Sequence, residues 1–344
     1  MAEAMVDLSA PRRHSGPLCT PRARRRYWLI LTLLIVLAAV FGFGLLAWNN
    51  PMPVGSDGFW RIAERRMNAL IAMAIVAWCQ GIATVSFQTV VNNRIITPSI
   101  MGFESLYRAV QTSAVYFLGV AGLVSLRGVT QFSIQVVIMV LLALGLYGWL
   151  LSGRYANLQV MLLVGIVIGG GLGSVSTFMQ RLLTPSEFDV LSARLFGNVS
   201  NADASYYPVA IPLCVVAGIL LWLKSTRLNV LALGKETATN LGLNHRRELM
   251  QVLFLVSILM AVSTALVGPM TFLGFLVATL TYQLADTYDH RRIFPMVILV
   301  AFVVLSGAYF VMRNIFSAQG VVSIIIELVG GTLFLIVILR KGRL

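Results

Sequence analysis

Charge is scarce in this sequence: of 344 residues only 11% are Asp, Glu, Lys or Arg, and just 13 are acidic. Soluble globular domains use about 25% charged residues, so this chain cannot clothe a water-facing surface. Cysteine is scarce too. Cys19, Cys79 and Cys214 lie far apart, which excludes a disulfide framework and any CxxC metal spacing. His14, His245 and His290 are equally scattered and give a metal site no ligand cluster. The sequence contains no G-x-x-x-x-G-K-[ST] phosphate loop, no HExxH and no GxSxG elbow. Nucleotide hydrolysis, zinc proteolysis and serine-hydrolase chemistry therefore have no residues to run on. The expectation is a chain that is not an enzyme and binds no cofactor or metal of its own.

What is present is apolar: 58% of the residues are hydrophobic and mean hydropathy is +0.86. Runs near the roughly 20 residues that cross a bilayer as helix recur from Tyr27 to the basic end at Arg340, Lys341 and Arg343. This predicts an all-α integral membrane protein with one membrane domain, 27–344. Residues 1–26 read as a basic cytoplasmic tail without stable structure. The apolar stretch from Trp28 to Trp48 exceeds a signal-peptide core, and no small-x-small site follows in "NNPMPVGSDG". Breaking the chain at polar, Gly and Pro clusters gives ten spans: 27–48, 67–88, 102–124, 131–150, 159–180, 208–223, 250–267, 272–285, 293–312 and 321–339. Pro269 separates the seventh from a short eighth and leaves irregular backbone that must be buried in protein or line a cavity. Residues 184–208 are too polar to span and predict one or two short surface helices.

The formal charge of +13 would suggest nucleic acid in a soluble protein. Here the basic residues flank apolar runs and report topology, so no nucleic-acid partner is expected. Of 26 Lys and Arg, 18 fall on the side of the N-terminal tail and 7 on the other, with Arg108 inside the third span. The positive-inside rule then places both termini in the cytoplasm. The glycines of "GIVIGGGLGS" (165–174) sit within an apolar span, where glycines four apart allow close helix contact. A substrate path shared with Ser174, Ser176 and Thr177 is compatible with that. Intramembrane carboxylates are few. Glu104 and Arg108, at i and i+4, are expected to neutralise each other, and Glu327 needs either a partner such as Arg313 or a wet cavity.

The cytoplasmic loop "LALGKETATNLGLNHRRELM" (231–250) places good helix formers between Gly234 and Gly242, with backbone freedom at both ends. Such a short helix is either a solvated connector or the receiver of work from a soluble motor. At this point the sequence resembles the FecCD-type permeases of ABC importers for iron-siderophores, haem and cobalamin. The resemblance covers nearly all of the chain after Tyr27. It rests most on the ordered blocks "LGKETATNLGL" (233–243), "VGPMTFLGFLVA" (267–278) and "DHRRIFPM" (289–296). Arg65-Arg66, "FQTVVNNRIITPSIMGF" (87–103) and "ARLFGNVSNADASYY" (193–207) match further family segments. Ala278-Thr279 stands where the family commonly has Pro-His, and Asn93-Arg94-Ile95 where it has Asn-Pro-Leu.

The resemblance implies a BtuC-like type II ABC importer permease in the bacterial cytoplasmic membrane, built of about ten transmembrane helices. It implies two cytoplasmic ABC ATPase subunits, which would hold the ATP and Mg, and an extracytoplasmic siderophore-binding protein. The wording is most similar to the catecholate branch, so a heterodimer with a second FecCD-like permease and a ferric siderophore as substrate are expected. Gly234, Lys235, Glu236, Thr237, Asn240, Leu241 and Gly242 would form the ATPase-coupling helix, within about 231–245. Arg65, Arg66 and Arg313 would meet the binding protein, where interfacial snorkelling is the plainer role. Ser174, Thr177, Gln180, Thr279 and Gln283 would line the substrate pathway, or else pack helices. The alternative function is an ion-gradient-driven secondary transporter of a small organic solute, which would be expected to show inverted repeats and intramembrane coupling residues.

Overall fold

In lipid a backbone must satisfy its own polar groups, which leaves helices or a closed barrel. The computed structural model describes residues 16–18, 20–48, 52–53, 55–125, 128–152, 158–314 and 322–341, and among these it is helical with no strand. The order is α1 (Pro21–Ala47), α2 (Asp57–Val91), α3 (Glu104–Ser125), α4 (Val129–Ser152), α5 (Leu158–Arg181) and the short α6 (Pro185–Leu195). Then come α7 (Tyr207–Leu223), α8 (Ser225–Leu231), α9 (Lys235–Asn240), α10 (His245–Val267), α11 (Leu273–Ala285), α12 (His290–Asn314) and α13 (Val322–Lys341). Helices occupy all ten expected positions. Seven of them, α1, α2, α4, α5, α7, α10 and α12, are long and apolar enough to cross a membrane, and α11 and α13 are shorter apolar helices.

Two boundaries differ from the sequence reading. The first helix starts at Pro21, not Tyr27, because Thr20 accepts a hydrogen bond from the Ala23 amide at 3.1 Å and Pro21 needs no amide partner at a helix start. Arg22 and Arg24 to Arg26 are therefore helical, which shortens the expected tail; residues 1–15 and Cys19 lie outside the described residues. The second helix starts at Asp57, ten residues before the expected span. Ser56 caps it by accepting from the Phe59 amide at 3.2 Å, so Arg61, Arg65 and Arg66 ride on its first turns.

The centre of the bundle is α2 and α10, whose most apolar stretches are 83% and 72% buried against 11% for the peripheral α1. α2 packs on both α10 and α12. Since lipid is as apolar as leucine, close packing must supply the attraction, and small residues permit it. Gly81 of α2 lies against Val297 of α12, where an added Cβ would sit 3.3 Å from the Val297 carbonyl. Gly218 of α7 leaves room for the Trp78 indole, which donates to the Cys214 carbonyl at 2.9 Å and stacks on Trp222. Gly165 and Gly169 behave likewise: a Cβ on either would come within 3.1 Å of the Met101 carbonyl or of Gly102 Cα. Gly170, Gly171 and Gly173 face open space.

Irregular backbone occurs where Pro269 predicts it. α10 ends at Gly268, whose φ of 88° favours glycine. The freed Val267 carbonyl accepts from the Asn198 amide at 2.8 Å. α11 has 13 residues, about 20 Å of helix, well short of the roughly 30 Å hydrocarbon core. A π-helical turn, Ser99–Phe103, leads into α3. One end of the bundle gathers the start of α1 with the loops before α10 and α12. There Tyr27 donates to the Arg292 carbonyl at 3.0 Å, and Asn229 donates to Asp289 at 3.0 Å.

Candidate transport cleft and coupling surface

Helix α5 turns a polar, glycine-lined strip outward, and with α3, α6 and α13 it bounds a cleft of about 700 Å³. Ser174, Thr177 and Gln180 lie in its wall. The Ser174 hydroxyl donates to the Gly170 carbonyl at 3.0 Å and Thr177 to Gly173 at 2.9 Å, so each is satisfied as a donor while its oxygen lone pairs remain available. Gln180 donates to Thr112 at 3.2 Å and ties α5 to α3. Gly170 and Gly173 keep this wall low.

Two charged side chains from helix interiors share the cleft: Arg108 of α3, which is exposed, and Glu327 of α13, which is half-buried. A charge at bilayer depth costs several kcal/mol, about 3 on insertion scales, unless it faces water or a partner. Two such charges in one concavity make that concavity the wet face of the helices. The two side chains, both among the described residues, make no direct ion pair with each other. The expected partner Arg313 instead lies beside Arg66. Glu104 is buried behind the cleft, near both Arg108 and Glu327, and accepts a close hydrogen bond from Thr271 in the irregular turn.

Thr279 and Gln283 do not belong to this cleft. Thr279 is half-buried on α11, and Gln283 sits at the other end of that short helix, where its carbonyl accepts from Arg26 at 3.5 Å beside the Arg26–Asp286 pair. Among the described residues, the only one near the start of α11 in the cleft lining is Pro269, four residues before the helix begins.

The loop predicted to couple forms α9, Lys235–Asn240. Gly234 (φ 94°) opens it and Gly242 (φ 85°) closes it. The Gly242 amide donates to Thr239 at 2.9 Å and the Leu243 amide to Ala238 at 3.0 Å, the paired bonds of a Schellman end. Lys235, Glu236, Thr237, Asn240, Leu241 and Gly242 are exposed, Gly234 is half-buried, and Ala238 is the buried anchor. Leu233 and Leu241 stand 59% and 61% exposed on either side of the helix, an apolar pair at a surface otherwise polar.

Sequence reasoning missed what holds α9 in place. Helix α8 lies beside it, and Glu248 at the start of α10 is buried between Lys224 (2.7 Å) and Arg227. Lys224 also donates to Gln251 at 2.5 Å. On the other side Asn229 of α8 accepts from the His290 amide at 3.1 Å, and the His290 ring reaches Thr89 of α2 at 2.7 Å. The pairing of residues 24 apart follows no helical spacing, so only the block "DHRR" offered a signal.

Of the three arginines expected at the outer rim, Arg65 is exposed and Arg313 half-buried. Arg66 is 4% exposed and is not available to a partner. Its guanidinium donates to the carbonyls of Leu46 and Trp48, both at 2.9 Å. A helix end leaves carbonyls unpaired and partially negative, and α1 has no basic residue of its own in its last turn.

Comparison with known proteins agrees with this architecture. The chain is 53% identical over 332 residues to the petrobactin import system permease protein FatC of Bacillus anthracis, covering 96% of this chain and 94% of the relative. It is 23% identical over 291 residues to the petrobactin import system permease protein FatD of the same organism, covering 83% and 84%. Its fold is similar to that of an inward-facing metal-chelate-type ABC transporter, with a TM-score of 0.76 at 20% identity over 91% of this chain and 99% of that one. The family model of the FecCD transport family matches residues 30–340, and the chain belongs to that family.

Proposed function

We propose that this chain is the permease subunit of an ATP-driven importer that moves a ferric siderophore of the petrobactin type across the bacterial cytoplasmic membrane by alternating access. As a FecCD-family member it is a multi-pass membrane transport subunit and not itself an enzyme. The observation that carries the substrate is the 53% identity, over nearly all of both chains, to a petrobactin import permease. Ten transmembrane helices with cytoplasmic termini fit the ten helix positions and the distribution of Lys and Arg.

The remaining parts of the reading follow from exposed surfaces. A permease without a phosphate loop needs ATPase subunits holding ATP and Mg, and α9, braced from both sides and flanked by Leu233 and Leu241, suits two such partners. Two distinct permeases, FatC and FatD, carry the name of one petrobactin system, which supports pairing with a second, different FecCD-like chain. The α5 and α13 cleft would then face that partner and enclose the path. Arg65 and Arg313 are the candidates for meeting a siderophore-binding protein. Family membership disfavours the secondary transporter.

The test is uptake of ⁵⁵Fe-labelled ferric petrobactin by native cells lacking this gene and by cells complemented with it. The reading requires uptake to fall on deletion and return on complementation. Unchanged uptake in the deletion strain would remove this substrate.

A further inference from the structure

We propose that Arg108 and Glu327 form the charge-selective element of the cleft, in which Arg108 attracts the anionic oxygens of the ferric chelate and Glu327, the acid of the same lining, competes with them. The inference rests on the siderophore reading above and concerns the same cleft. Its lining holds two cations, Arg108 and Arg181, against one acid, Glu327, and the α5 wall adds the hydroxyls of Ser174 and Thr177. That excess of positive charge suits a negatively charged ligand, while the two hydroxyl oxygens, whose protons go to backbone carbonyls, accept from any N–H or O–H that the ligand carries. Iron(III) held by three bidentate, doubly deprotonated oxygen ligands carries net negative charge, and its iron-bound oxygens keep lone pairs that accept hydrogen bonds at the edge of the chelate. A cationic side chain makes charge-assisted hydrogen bonds to oxygens of that kind.

Arg108 and Glu327 both line the cleft with no direct ion pair between them, so each is held by the cleft's polar surroundings and by the field of the other. They come from different helices, α3 and α13. Behind them Glu104, one turn before Arg108, is engaged by Thr271 of the turn that starts α11. An arriving anion competes with Glu327 for Arg108. The carboxylate of Glu327 in the same lining weakens the hold of Arg108 on the chelate, which keeps the site from trapping its cargo. Glu327 acts through Arg108, and the sequence alone left its role open.

The test measures ⁵⁵Fe-petrobactin uptake, as maximal rate and half-saturating concentration, in native cells carrying single-copy wild type, Arg108→Gln, Arg108→Lys, Glu327→Gln and the Arg108→Gln/Glu327→Gln pair. Membrane abundance is followed by an epitope tag. Loss of a charged hydrogen bond predicts a maximal rate about ten- to hundredfold lower for Arg108→Gln, with half-saturation unchanged because the binding protein sets it. Arg108→Lys should keep most of the rate, and Glu327→Gln should slow release and lower the maximal rate. The double variant should be no slower than Arg108→Gln. Wild-type rates for Arg108→Gln, equal failure of Arg108→Lys at normal abundance, or a double variant slower than either single one would overturn the proposal. If Arg108→Gln does not reach the membrane, Arg108→Lys and Glu327→Gln decide by the same criteria. A wild type that takes up no ferric petrobactin would instead overturn the siderophore reading.

Discussion

Arg66 holds the end of α1 from a neighbouring helix, and its sequence neighbour Arg65 points to solvent. The adjacent pair "RR" gives no sign of this division, because which of two consecutive helical residues faces inward depends on where α1 ends. Arg66→Ala strands two carbonyls at a helix terminus, and each unmet buried polar group costs about 1–3 kcal/mol. We expect Arg66→Ala to lower the detergent-solubilised melting temperature clearly, and Arg65→Ala to leave it unchanged; equal effects would contradict the assignment. At the start of α6, Glu187 accepts from the Thr184 amide at 3.0 Å and from its hydroxyl at 2.8 Å. These donors hold its carboxyl below the usual carboxylate value. A depressed value means that the capping box contributes fully above the ordinary carboxylate range and is lost as pH falls through the folded value. Hydrogen exchange of α6, corrected for intrinsic rates, should lose protection on acidification in the wild type and show no such transition in Glu187→Gln.

At the scale of elements, α9 was legible because its glycines bracket good helix formers, and the structure uses both in left-handed or extended positive-φ conformations. Its bracing was not legible, since Glu248, Lys224 and Arg227 converge through tertiary packing. Charge reversal at exposed Glu236, or Gly242→Val against a φ of 85°, should impair uptake while membrane insertion and abundance stay normal. Normal uptake with both changes would remove the coupling role. The packing glycines make a separate prediction. Gly218→Ala drives a methyl group into the rigid Trp78 indole, and overpacking of this kind costs about 1–3 kcal/mol. Gly171→Ala, at a position open to space, should leave thermal stability unchanged, so the two variants separate packing glycines from the rest.

For the whole molecule, low charge and long apolar runs already imply a helical membrane protein, and "VGPMTFLGFLVA" already implies a broken helix near Pro269. The partition of candidate pathway residues was not legible. Ser174, Thr177 and Gln180 share one helix face and line the cleft, whereas Thr279 and Gln283 lie on α11 outside its lining. The cleft itself is built by four helices, and the proposed partner permease would close it. The central claim is therefore an assembly, a permease that works with ATPases and a second permease. Mild-detergent affinity purification of the tagged chain from its native membrane, followed by mass spectrometry, tests it most directly. The account predicts recovery of a phosphate-loop ATPase together with a second, different FecCD-family permease. A lone chain, stable and active in ion-gradient-driven uptake, would contradict it.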